Sequence, residues 1–255
     1  MITAICNQKG GVGKTVTTTA LAHALAHTSH SVLVIDTDPQ GNSTAILEAT
    51  GTEFNLNDLL AAAASGTVNA TRQAITPAGE AWPGIDVIPA DRALASRETD
   101  VSIGREARLR ACLAGVAGDY DHILIDCPPS LGMLTTNALT AADAAVIVTE
   151  AGETAADGVA EIVTTIAAVK TAYNPSLSLA GILINKFRHD RVERRDWRRK
   201  LSEYYGDLVL TRPLPEKEAV PRAAGAHTPI PETPDLQPLH QAIADVIATI
   251  TKEHQ

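Results

Sequence analysis

The stretch CNQKGGVGKTVTT, residues 6–18, follows the apolar run ITAIC at 2–6 and decides the fold. An apolar strand running into glycines, then Gly-Lys-Thr opening a helix, is the context that a phosphate-binding loop needs. The usual spacing of Gly, four residues, then Gly-Lys-Ser/Thr is not met. Gln8 stands where the first glycine belongs, and Lys9 adds a second lysine five residues ahead of Lys14. Gly10, Gly11 and Gly13 let backbone amides turn inward onto oxygens without a Cβ in the way. The helix that starts there adds partial positive charge. Lys14 can reach the β- and γ-phosphates, and the Thr15 hydroxyl can ligate Mg²⁺, a cation that prefers oxygen donors.

Four further apolar runs read as buried strands, at 31–36, 122–126, 144–150 and 179–185. Near-continuous apolar runs belong to parallel sheets covered on both faces. Amphipathic stretches alternate with them, at about 15–28, 105–117, 133–141, 154–173, 190–204 and 235–250. The pattern predicts an α/β fold: a doubly wound, mostly parallel sheet with helices on both faces. The span 1–255 reads as a single domain. Residues 50–100 read as an insertion with small helices and a short strand, IDVIPA. Residues 211–234 hold six of the 14 prolines and read as an irregular loop with a short helix.

Two aspartate signals accompany the loop. VLVIDTDPQGN at 32–42 puts Asp36 and Asp38 at one strand end, and HILIDCPPS at 122–130 puts Asp126 at another. Ligands of open α/β sheets sit beyond the carboxyl ends of the strands, so all three signals converge on one crevice. Asp126 is the expected carboxylate on the Mg²⁺ side, acting through water.

NQKGGVGKT, DTDPQGN and LIDCPPSLGMLTTNALTAAD together resemble the deviant-Walker P-loop ATPases of the ParA/MinD group, and most closely ParA-type DNA-partition ATPases. The resemblance runs from residue 2 to about 250. It implies ATP and Mg²⁺ as cofactors, bound at residues 9–15 with Val12 and Val16 contributing backbone. It makes Lys9 the signature lysine, which reaches the phosphates held by the other subunit of a nucleotide-sandwich homodimer. It gives the attacking water to Asp38, Mg²⁺ to Asp36 and Asp126 with Thr15, and adenine to Asn185. The loop 214–223, with Pro215 and Glu216, would cover the base. Two positions depart from the family pattern. Val16 stands where a further threonine is common, and Glu216 where partition ATPases often carry arginine.

The net charge is −9, so contact with nucleic acid needs a local basic patch. RHDRVERRDWRRK at 188–200 supplies one, at +4, leaving −13 elsewhere. Arg188, Arg191, Arg195 and Arg198 recur at helical spacing, and Arg194 and Arg199 widen the stripe. That pattern suits sequence-independent phosphate binding. The alternative is a solvated helix with ion pairs such as Asp190–Arg194 or Asp196–Lys200. The resemblance favours nonspecific double-stranded DNA, and adds a ParB-like centromere-binding partner that accelerates a weak ATPase. Two other readings stay open: a ParA-like or MinD-like ATPase that positions a protein cargo, and a metabolic enzyme of the same fold.

The three cysteines form no CxxC pair and read as buried thiols. His23, His27 and His30 read as a solvent face, since no Glu follows His23 as a zincin pattern requires. The last helix lacks the basic and aromatic character of a membrane-surface helix. With no signal peptide in view and no helix-turn-helix extension ahead of the loop, the expectation is a cytoplasmic, nucleoid-associated protein without membrane contact.

Overall fold

Seven strands form one sheet in the computed structural model, which describes residues 1–50, 53–65 and 70–252. They are β1 (Ile2–Cys6), β2 (Val32–Asp36), β3 (Thr76–Pro77), β4 (Ile85–Ile88), β5 (His122–Asp126), β6 (Ala144–Glu150) and β7 (Ser178–Asn185). The order is β3-β4-β2-β5-β1-β6-β7, parallel throughout except for the β3–β4 pair. The chain leaves β1 toward β2 on one side and later fills β6 and β7 on the other. The switch point therefore lies at the end of β1, where the glycine loop begins.

Among the described residues, ten α-helices accompany the sheet: α1 (Lys14–His27), α2 (Asn42–Ile46), α3 (Leu56–Ala64), α4 (Thr71–Ala74), α5 (Arg108–Leu113), α6 (Met133–Ala141), α7 (Glu153–Ala172), α8 (Val192–Tyr205), α9 (Ala219–Gly225) and α10 (Gln237–Lys252). The strands look continuously apolar because both of their faces are buried. Ala4, Cys6, Leu33, Ile35, Ile123 and Ile125 pack on one side against Leu59, Leu109, Leu139 and Ile162 of α3, α5, α6 and α7. Ile5, Val32, Val34 and Leu124 pack on the other against Leu21 and Leu25 of α1 and Ile243 and Val246 of α10. This alternation at period two is what a strand imposes. It confirms the doubly wound expectation.

Two expected helices change shape. In place of a helix over 105–117, a 3₁₀ turn (Arg105–Ala107) leads into α5, which ends at Leu113 ahead of Gly115 and Gly118. Asn137 of α6 governs this entry: its Oδ1 accepts from the Leu109 amide at 3.1 Å and its Nδ2 donates to the Arg105 carbonyl at 2.7 Å. The helix expected at 190 starts at Val192, because Arg188 pairs with Asp190 at 2.9 Å and the Arg191 amide closes a turn on the Arg188 carbonyl. Replacing Asn137 with Ala leaves these buried partners unpaired. The expected loss is about 1–3 kcal/mol of unfolding free energy, read as a lower denaturant midpoint at unchanged slope.

Candidate functional site

The glycine loop is built from its flanks inward. Asn7, just past β1, donates from Nδ2 to the Val148 carbonyl of β6 at 2.8 Å, and its Oδ1 accepts from the Lys9 amide at 3.0 Å. Gly11 and Gly13 adopt φ of +75° and +95°, a left-handed backbone that side chains resist. Gly13 then caps α1 with no side chain, so no capping group consumes the first amides of the helix. Val12 points into the core and can offer a ligand only its backbone.

The two lysines have opposite settings. Lys14 is 6% exposed, and its Nζ donates to the Lys9 carbonyl at 3.2 Å. Burial depresses its pKa, and the Asp126 carboxylate nearby opposes that. Lys9 stands at the exposed outer edge of the loop.

Asp36 and Asp126 face each other in register on β2 and β5, both fully buried. Burial raises both carboxyls above the usual range, and the Asp126 charge adds to the effect at Asp36. Asp126 accepts from the Ser43 hydroxyl at 2.6 Å and from Thr15, and Asp36 accepts from the Asp38 amide at 3.0 Å and from the Thr44 amide and hydroxyl at 2.8 Å. Asp36 thus spends its oxygens on shaping the 37–44 segment. Asp38 keeps one contact of its own, from the Gln40 amide at 2.9 Å, and lines the cleft.

The residues suit Mg²⁺. Among the described residues no three His, Cys, Asp or Glu side chains form a metal cage. Magnesium held beside a nucleotide needs few protein donors, because phosphates and waters complete its shell. The paired Thr15 hydroxyl and Asp126 carboxylate are oxygen donors of that kind.

A cleft of about 1190 Å³ spans these parts. Gly10, Gly11, Gly13, Lys14, Thr15 and Val16 line it together with Asn185, Pro215 and Glu216. Asn185 departs from a free purine reader. Its Nδ2 donates to the Val12 carbonyl at 2.8 Å, and its Oδ1 accepts from the Lys186 amide at 2.8 Å. Lys186, which the sequence reading passed over, reaches the Gly11 carbonyl at 2.5 Å and Glu150 at 3.1 Å. Asn7, Ser43 and Thr17 were missed as well. The Thr17 hydroxyl belongs to a buried cleft residue and has no hydrogen-bond partner among the described residues. Uncharged donors that act through space leave no spacing signature in a sequence.

The arginines do not form one helical stripe. Arg188 and Arg191 precede α8, and Arg188 also approaches Glu216 at 3.8 Å. Arg194 turns inward, donating to the Ala151 carbonyl at 2.7 Å and lying 3.6 Å from Glu150. Arg198 donates to the Thr211 carbonyl at 2.6 Å with its guanidinium over Phe187. Arg199 pairs with Glu203 at 2.7 Å, and Arg195 donates to the His189 carbonyl at 2.6 Å. Arg188, Arg191, Arg195 and Arg199 remain exposed. The alternative reading of a solvated helix pairs Asp190 with Arg194; in the structure Asp190 pairs with Arg188. His23 is likewise no plain solvent residue: it packs edge-on to Trp82 at 6.0 Å, and burial lowers its pKa.

A family model described as an AAA domain matches residues 1–179. The chromosome partitioning protein ParA of Caulobacter vibrioides is 35% identical over 235 residues, covering 90% of this chain and 85% of its own. The sporulation initiation inhibitor protein Soj of Bacillus subtilis is 36% identical over 235 residues, covering 90% and 89%. A crystal structure of a cobyrinic acid a,c-diamide synthase from Mycobacterium smegmatis, with bound ADP and magnesium, superposes with a TM-score of 0.76 at 34% identity, covering 89% of this chain and 90% of that one.

The two kinds of arginine separate by mutation. Arg194→Ala takes the donor from the Ala151 carbonyl, leaves Glu150 with Lys186 alone, and is expected to cost about 1 kcal/mol. Arg195→Ala, at the surface, is expected to stay within about 0.5 kcal/mol of the parent in the same denaturation experiment.

Proposed function

The chain belongs to the ParA/Soj family of partition ATPases, and on that premise we propose that it is an ATP-driven dimerising switch that carries DNA cargo. The observation that carries this reading is the division between the two lysines. Lys14 is buried beside Asp38 and Asp126, while Lys9 stands on the exterior of the same loop. A buried lysine serves the phosphates of its own subunit. An exterior one is placed to compensate charge on a nucleotide held by a second copy, as an arginine finger does in trans. Pairing then depends on the terminal phosphate, because without it the second ammonium loses its counter-charge.

Within one subunit, Lys14 and the first amides of α1 bind and orient the phosphates. Asp38 lines the cleft with its carboxylate held by the Gln40 amide, and is assigned the task of orienting the attacking water. Thr15 and Asp126 would hold Mg²⁺, which when bound offsets phosphate charge; Asp36 supports the loop that carries Asp38. Pro215 and Glu216 flank the base. The exposed arginines Arg188, Arg191, Arg195 and Arg199 would meet DNA phosphates without reading sequence. A ParB-like protein is the expected accelerator of hydrolysis.

No described helix is long and apolar enough to cross a membrane. The likeness to an amide synthase supports a second reading, ATP-driven amidation of a small substrate. Stimulation of ATP hydrolysis by DNA together with a centromere-binding protein separates the two, since a metabolic enzyme gains nothing from either. A protein cargo in place of DNA cargo would show as stimulation by a different partner.

Three variants test the switch. Lys14→Ala is expected to lower ATP and ADP affinity at least 100-fold by calorimetry. Lys9→Ala is expected to keep nucleotide within about tenfold yet remain monomeric in light scattering with ATP, and dimerisation of that variant would refute the trans role. Asp38→Ala is expected to accumulate a DNA-bound dimer; turnover at the parent rate would remove Asp38 from its assignment.

A further inference from the structure

The end of β7 grips the glycine loop through two consecutive carbonyls. Lys186 Nζ donates to the Gly11 carbonyl at 2.5 Å, and Asn185 Nδ2 donates to the Val12 carbonyl at 2.8 Å. Both peptides are trans. In a trans peptide the C=O and the following N–H point in opposite directions. Fixing the Gly11 carbonyl toward β7 therefore turns the Val12 amide away from it, and fixing the Val12 carbonyl does the same for the Gly13 amide.

We propose that Lys186 and Asn185 are positioning residues for phosphate: they hold the loop so that the Val12 and Gly13 amides face the anion. This rests on the nucleotide-site reading above and adds to it the reason why the amides point inward. The grip is itself braced. Lys186 is a non-glycine residue at φ +50°, a conformation rarely held without support. The Asn185 side chain supplies that support by accepting from the Lys186 amide at 2.8 Å. Glu150, at the end of neighbouring β6, pairs with the ammonium at 3.1 Å and is held in turn by Arg194 at 3.6 Å. Gly13 leaves the space that Asn185 occupies: a Cβ there would sit 2.1 Å from Asn185 Nδ2. A glycine is thus required at position 13 by the neighbouring side chain as well as by φ.

The role differs from two others these residues could play. A base-reading Asn185 would alter purine preference and leave a baseless anion unaffected. A Lys186 that binds phosphate by direct charge would carry a share of the salt dependence. Amide orientation predicts neither.

The test measures affinity for inorganic pyrophosphate, ADP and GDP by calorimetry. Lys186→Met is expected to weaken pyrophosphate and ADP by the same factor, about tenfold. The ADP/GDP ratio and the slope of affinity against salt should stay at parent values. Lys186→Arg should restore binding to within about threefold, and Glu150→Gln should fall between parent and Lys186→Met. The melting temperature of each ligand-free variant checks folding, and Lys186→Arg and Glu150→Gln keep the test open if Lys186→Met fails to fold. Pyrophosphate affinity within twofold of the parent in Lys186→Met, an altered ADP/GDP ratio, or a flattened salt slope would each overturn the inference. If Lys14→Ala also leaves pyrophosphate binding intact, the nucleotide site itself falls, and this inference with it.

Discussion

The ammonium of Lys14 is held where little water reaches it, between the loop carbonyl of Lys9 and the carboxylates of Asp126 and Asp38. Burying a cation costs free energy, and burial of this one lowers its pKa. The carboxylates and the carbonyl offset part of that cost. Much of the surrounding architecture follows from this requirement. Asp126 must end β5 beside β1, and the loop must fold back over Lys14 from the adjacent strand. The central strand order β2-β5-β1-β6 meets both conditions at the switch point of the sheet.

Negative charge is concentrated on the other side of the balance. Asp36 and Asp126 lie opposite one another with both carboxyls raised by burial. One segment supplies donors to both, with Ser43 on Asp126 and Asp38 and Thr44 on Asp36, while Thr15 of α1 adds another on Asp126. One short stretch after β2 therefore senses both carboxylates and also carries Asp38 into the cleft. A change in charge beside Lys14 has a direct physical route to that segment, through Asp126.

The basic segment shows how local chemistry redistributes a stripe. Six arginines at 188–199 look equivalent in sequence, but they divide by what they touch. Arg194 is drawn onto Glu150 and the Ala151 carbonyl at the end of β6, and Arg198 onto the Thr211 carbonyl in the segment after α8. Arg191 and Arg195 remain outward. A guanidinium carries five donors, so a partly used one can still meet a phosphate, though with less freedom.

The parallel sheet, the position of the loop, and the convergence of Asp38 and Asp126 on it were legible in the sequence. Apolar runs of strand length and glycines before Gly-Lys-Thr are local patterns with local causes. Of the five strands expected from the sequence, β1, β5 and β6 match at both ends, and β2 and β7 differ by one residue at their starts. The start of α8, the short α5 and the grip of Asn185 and Lys186 on Gly11 and Val12 were not legible. Each depends on a partner more than 20 residues away or on a turn closed by an ion pair. Sequence by itself determined which residues can bind phosphate, because backbone freedom and charge are properties of residue type. Only the tertiary structure decided which lysine is buried and which is exterior, and which arginines are already spent, because those follow from distances between strands that the chain order does not contain.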